Sequence, residues 1–258
     1  VSGMPFEYVP LLHVQREIYA VPRGMERFRK YLQTLLDPAG DDLALPPLAA
    51  INPMGKEHVA AYVDALLELG AEAVAAQATE EANRRLGLEP ALKVSLAVLD
   101  DLKGGWTDRP AYELGFLSSE PRALLKRPWL ALPCWTSEAP SRASVRRATL
   151  STLYRYAHLL RRGRPRTLGQ LLWAEGHALA FAGVQPWLEE EELAYTRAVV
   201  APYRDSGRYP TLFACLFGDE AAKASGHAPL GLSPRAGSGL ALAEALESGL
   251  TPEAALTL

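Results

Sequence analysis

Val94-Ser95-Leu96-Ala97-Val98-Leu99, followed at once by Asp100-Asp101-Leu102-Lys103-Gly104-Gly105-Trp106-Thr107-Asp108-Arg109, is the passage on which the reading of this chain turns. A short, unbroken apolar run bounded by turn residues predicts a strand buried on both faces, as in the middle of a parallel sheet. Its abrupt end in two acids and a Gly-Gly-Trp loop predicts a functional loop delivered to one sheet edge by a rigid element.

Two further apolar runs read as strands, Pro46 to Ile51 and Trp129 to Trp135, with a weaker candidate at Leu114 to Leu117. Between and around them lie helical periodicities. Val9 to Val21 places Leu11, Val14 and Ile18 on one face, and Met25, Phe28, Leu32 and Leu35 mark a second helix. His58–Leu69 and Ala71–Leu86 read as helices split at Gly70. From residue 145 onward the pattern is helical almost throughout: 145–160, 168–182, 189–200 and 211–224, then a loop over 226–239 and short terminal helices. The expected fold is therefore α/β or α+β with helix in the majority. A small sheet occupies the first half (1–142) and a helical second half (143–258) packs against it.

Composition narrows the function classes. The 258 residues carry 27 Lys and Arg against 30 Asp and Glu, a net charge of −3, which argues against a protein built to coat nucleic acid or an anionic membrane. No apolar run approaches the roughly 20 residues of a spanning helix. The first residues show no charged-then-apolar leader pattern. Cys134 and Cys215 each sit in an apolar run and read as buried free thiols, consistent with a cytoplasmic setting. Asn occurs only at Asn52 and Asn83, Ile only at Ile18 and Ile51, and proline is frequent, which suits a thermophile or a GC-rich genome.

If the three strand candidates are parallel neighbours, three polar segments meet at one edge, where open α/β sheets bind ligands. They are Asn52-Pro53-Met54-Gly55-Lys56, Asp100-Asp101 with Trp106-Thr107, and Trp135-Thr136-Ser137-Glu138. In that arrangement Asp100, Asp101 and Glu138 supply acid–base chemistry or oxygen ligands for a divalent metal. Successive strand residues point oppositely, so only one of the two aspartates faces the site unless the strand breaks there. Asn52, Lys56, Thr107 and Arg142 would contact a small anionic ligand, and Trp106 and Trp135 would wall it.

Two other groupings have metal-ligand character. His13 and Glu17 lie four apart on a helix face, the spacing of an ordinary surface pair as well. Glu175 and His177 lie within an apolar helix, where a buried acid requires a partner. Finally, Arg142, Arg146, Arg147, Arg155, Arg161, Arg162, Arg164 and Arg166 run without an intervening acid. Such a stretch grips phosphates, an acidic partner or nucleic acid, or is a solvated face with Glu189–Glu192 as counterpart. The sequence leads to an intracellular enzyme for a small anionic metabolite, with a non-catalytic binding protein using the Arg142–Arg166 surface as the alternative. It carries no information on oligomeric state.

Overall fold

A computed structural model describes residues 6–88, 92–102, 104–120 and 126–257. The fold is α/β with helix in the majority (58%) and a small parallel sheet in the first half. Contacts divide the chain into two compact units, 1–109 with 122–153, and 110–121 with 154–258. The last crossing between the units falls between Leu153 and Tyr154, within a long helix.

The first unit holds three parallel strands in the order β1-β2-β3: β1 (Phe6–Tyr8), β2 (Leu92–Leu99) and β3 (Trp129–Trp135). All six residues from Val94 to Leu99, Ser95 included, have no solvent exposure, which is why the sequence there does not alternate. Pro133 lies in β3, an edge strand, where a missing ladder donor is tolerated. Helices α1 (Leu12–Ala20), α2 (Met25–Leu35), α3 (Glu57–Glu68) and α4 (Ala71–Leu86) intervene between β1 and β2.

The first strand is much shorter than β2, and side chains complete the ladder where it runs out. Val9 N–H donates to the Val94 carbonyl at 2.8 Å, the last main-chain bond on that side. Beyond it, buried Gln15 from α1 donates through Nε2 to the Val98 carbonyl and accepts from Val98 N–H, both at 2.9 Å. Asn83 does the same for Phe6, with bonds of 3.0 and 2.9 Å. Each amide acts as one residue of a missing strand, satisfying backbone groups that would otherwise be buried unpaired.

Two expected strands are something else. Pro46 to Ala50 is a 3₁₀ turn; its adjacent prolines lack the N–H groups a ladder needs. Leu114 and Leu117 are buried three residues apart on α5 (Arg109–Leu117), a helical rather than an extended spacing.

The second unit is built from the C-terminal part of α6 (Arg142–Arg162), α7 (Leu168–Phe181), α8 (Glu190–Val200), α9 (Tyr209–Phe217), α10 (Asp219–Ala224), α11 (Ala236–Glu247) and α12 (Pro252–Ala255). Leu168, Leu172, Phe213, Leu216 and Leu240 belong to one core. α7 and α11 approach closely at Gly176, where an added Cβ would lie 2.0 Å from the Ala241 carbonyl oxygen. The expected 211–224 helix is two, broken at Gly218 (φ 85°). The loop expected over 226–239 ends earlier, because 236–239 already belong to α11. No helix of the described residues is long and apolar enough to cross a membrane.

Candidate functional site

The C-terminal ends of β2 and β3 lie side by side, Leu99 paired with Trp135, and Thr136 N–H donates to the Leu99 carbonyl at 3.1 Å. Asp100 and Thr136 are thus brought together by the strand register itself. Asp100 is 2% exposed, yet its carboxylate is fully provided for. Oδ2 accepts from Asn52 Nδ2 at 2.9 Å; Oδ1 lies 2.9 Å from His58 Nε2 and 3.0 Å from Thr136 Oγ1. Burial alone would raise its pKa, but the hydrogen bonds from His58, Asn52 and Thr136 outweigh it and hold the carboxyl below its ordinary value.

Each partner is itself fixed. Asn52 follows the 3₁₀ turn, accepts from Met54 N–H at 3.0 Å through its side chain, and has its carbonyl held by the buried Tyr19 hydroxyl at 2.7 Å. His58 stands in the first turn of α3, directly after this loop. Its ring is 37% exposed, and Nδ1 has no hydrogen-bond partner among the described residues. One ring nitrogen therefore faces a buried carboxylate while the ring remains open to solvent.

The strand breaks after Leu99, so both aspartates reach the same hydroxyl. Thr136 Oγ1 is 3.2 Å from Asp101 Oδ1 as well as 3.0 Å from Asp100 Oδ1. Asp101 also accepts from Ser137 N–H at 2.9 Å and Ser137 Oγ at 2.6 Å. It organises the turn that follows β3. The loop after Asp101 folds back on the strand end: Thr107 N–H donates to the Asp100 carbonyl at 3.0 Å and Thr107 Oγ1 to Ala50 at 3.3 Å. Gly105 is required by this tight return, since a Cβ there would sit 2.6 Å from the Asp100 carbonyl oxygen.

Other expected site residues are placed differently. Glu138 accepts from Arg109 Nη2 at 2.6 Å through Oε1 and from Arg147 Nη2 at 2.9 Å through Oε2, so it bridges two guanidiniums. Trp135 is 4% exposed, with the Arg109 guanidinium 5.1 Å from its ring centroid, and serves as a base for that cation. Trp106 is 59% exposed and walls nothing in the described structure. Lys56 is exposed at the start of α3. Arg142 donates to the Leu69 carbonyl at the end of α3 (2.9 Å), where it caps the helix, and lines a cleft with Glu81 and Arg146.

The metal expectations find no support. His13 and Glu17 are exposed on α1. Glu175 is saturated by Arg155, which donates Nε and Nη2 at 2.8 and 2.7 Å, and His177 Nδ1 bonds the Trp173 carbonyl at 2.9 Å. Among the described residues no three His, Cys, Asp or Glu side chains converge to hold a metal ion. The arginine run is likewise largely consumed: Arg146, Arg147, Arg155 and Arg164 pair with Glu81, Glu138, Glu175 and Glu120. These acids come from four separate places, not from Glu189–Glu192.

His58 is the residue that sequence reasoning overlooked. Its signal was its position, one of five histidines, just inside a helix whose preceding loop carries one of only two asparagines. No protein-family model, curated protein or solved structure matches this chain.

Proposed function

We propose that this protein is an enzyme acting on a small anionic metabolite at the C-terminal edge of its parallel sheet, with His58 as the group that moves the proton. The observation that carries the reading is the 2.9 Å contact between half-exposed His58 Nε2 and buried Asp100 Oδ1, with Asp100 fixed from two other sides by Asn52 and Thr136.

The chemistry follows from this geometry. Asp100 remains ionised, so it accepts the Nε2–H proton and selects the tautomer with a lone pair on Nδ1. That lone pair takes a proton from a substrate bound over the exposed ring edge. The imidazolium that forms is stabilised by the carboxylate behind it, and the proton returns to the leaving atom or the product. Asp100 is thus a positioning residue and the imidazole the acid–base group. Asn52 and Thr136 keep the carboxylate from rotating away. Lys56, two residues before His58, supplies the positive charge that an anionic substrate meets at the mouth. This revises the assignment of acid–base work to the strand-end carboxylates themselves: their lone pairs are occupied within the protein, whereas the imidazole has one to offer.

The test is conversion of a panel of small phosphorylated and carboxylated metabolites, followed by mass spectrometry, with wild-type protein and His58→Gln. The expected result is at least one compound converted by the wild type and about 10²–10⁴-fold more slowly by the variant. A compound converted at equal rates by both, or a panel left untouched by the wild type, contradicts the proposal.

A further inference from the structure

We propose that the second unit carries an independent binding site for a small phosphomonoester, in the cavity where α6 passes into α7. The cavity measures about 390 Å³, within the range that accommodates small ligands. Its lining includes Arg162, Arg164 and Arg166 together with His158, Gln170 and Trp173, and among the described residues contains no carboxylate.

Two observations point independently to a ligand. The first is charge. Three arginines of the lining fall within five residues, a density of positive charge that suits a dianion. Among the described residues Arg162 is held only by a 3.3 Å contact to the Ala255 carbonyl, and Arg164 only by a 3.4 Å ion pair with well-exposed Glu120. Both forks keep donors to spare, and a phosphate at the rim competes with one long ion pair alone.

The second is the floor. His158 is 4% exposed, yet its Nδ1 has no hydrogen-bond partner among the described residues; the same holds for the buried Nε1–H of Trp173. Close by, His177, whose ring centroid is 4.3 Å from that of Trp173, leaves Nε2 unpartnered too. Buried polar atoms in folded proteins are nearly always paired. Here two unpaired ones belong to residues that line a cavity rimmed by arginines. Burial, and then the charges of Arg162 and His177, push the His158 imidazole down to about 4, so it stands neutral, a partner for a hydroxyl or carbonyl and not a second anion-binding cation. The arrangement reads a molecule with a phosphate at one end and a neutral polar group at the other. The N-terminal amides of α7 play no part, since Leu168 and Gly169 N–H already bond Ser206 and Arg204 carbonyls at 2.8 Å.

The experiment uses the whole protein and phenyl phosphate as probe, with benzoate as the singly charged control. Binding is read by titration calorimetry and by the indole N–H resonance of Trp173, identified with Trp173→Phe. One saturable site, a shift of that resonance and weaker binding of benzoate are expected. The exposed pair Arg164→Gln/Arg166→Gln should weaken phenyl phosphate by about tenfold per guanidinium, and His58→Gln should leave it unchanged. The site is overturned by absence of saturation, by equal affinity for benzoate, or by full affinity in the double arginine variant. Loss of binding in His58→Gln with the arginine variant unaffected would place the anion at the sheet edge and equally overturn it.

Discussion

At Asp100 burial and hydrogen bonding pull in opposite directions, and the bonds win. The sign follows: a carboxyl whose native pKa is depressed adds stability above its unfolded value, about 3.9, and loses it as pH falls through the native one. Asp100→Asn should therefore cost about 1.5–3 kcal/mol at pH 7 in urea unfolding, with the deficit shrinking below about pH 4. His158 shows the converse case. Held neutral down to about 4, against about 6.5 when unfolded, it leaves the unfolded chain binding more protons between these values. Stability should fall on acidification through that window, by at most about 1.4 kcal/mol per pH unit from this group, and the slope should flatten in His158→Phe. A slope unchanged by the substitution would show that the imidazole is already charged in the native state.

Elements in this protein are completed by side chains as much as by backbone. Gln15→Leu keeps an apolar stem in place but strips Val98 of both its partners, and should cost about 2–4 kcal/mol in chemical unfolding. Gly176→Ala drives a methyl into the α11 backbone and should lower stability by about 1–3 kcal/mol. Gly115→Ala in α5, where a Cβ meets no atom, should instead be neutral or stabilising. The same reasoning explains which elements were legible in the sequence. The Val94–Leu99 and Trp129–Trp135 strands announce themselves because a parallel sheet demands continuous apolar runs. Phe6–Tyr8 is too short to show any period, and its partners, the β2 strand from Leu92 and the Asn83 side chain, lie far along the chain. Pro46–Ile51 resembles a buried strand in composition, and only its missing N–H donors separate it from one.

For the molecule as a whole, the two thiols report on the two units. Burial raises Cys134 to about 12 and Cys215 to about 11, so neither should react with a thiol reagent until its unit unfolds. With Arg146, Arg147, Arg155 and Arg164 already paired and the net charge at −3, heparin should release the protein at low salt. Retention to high salt would revive the basic surface as a macromolecular contact. The meeting of Asp100, Asp101 and Thr136 was legible because strand ends in parallel sheets share an edge, whereas Asn52 joins them from a 3₁₀ turn and not from the strand expected there. His58 was not, because it enters from a helix start that no periodicity links to β2, and the Arg109–Glu138–Arg147 bridge depends on tertiary placement that spacing does not encode. The central claim is that His58 and Asp100 work as one device. It is tested most directly by a double-substitution cycle on the rate for whichever metabolite the wild type converts, using His58→Gln, Asp100→Asn and both together. The account predicts that the double variant is about as slow as His58→Gln alone, since the carboxylate acts only through the imidazole. Losses that multiply would contradict it and assign the two residues separate roles.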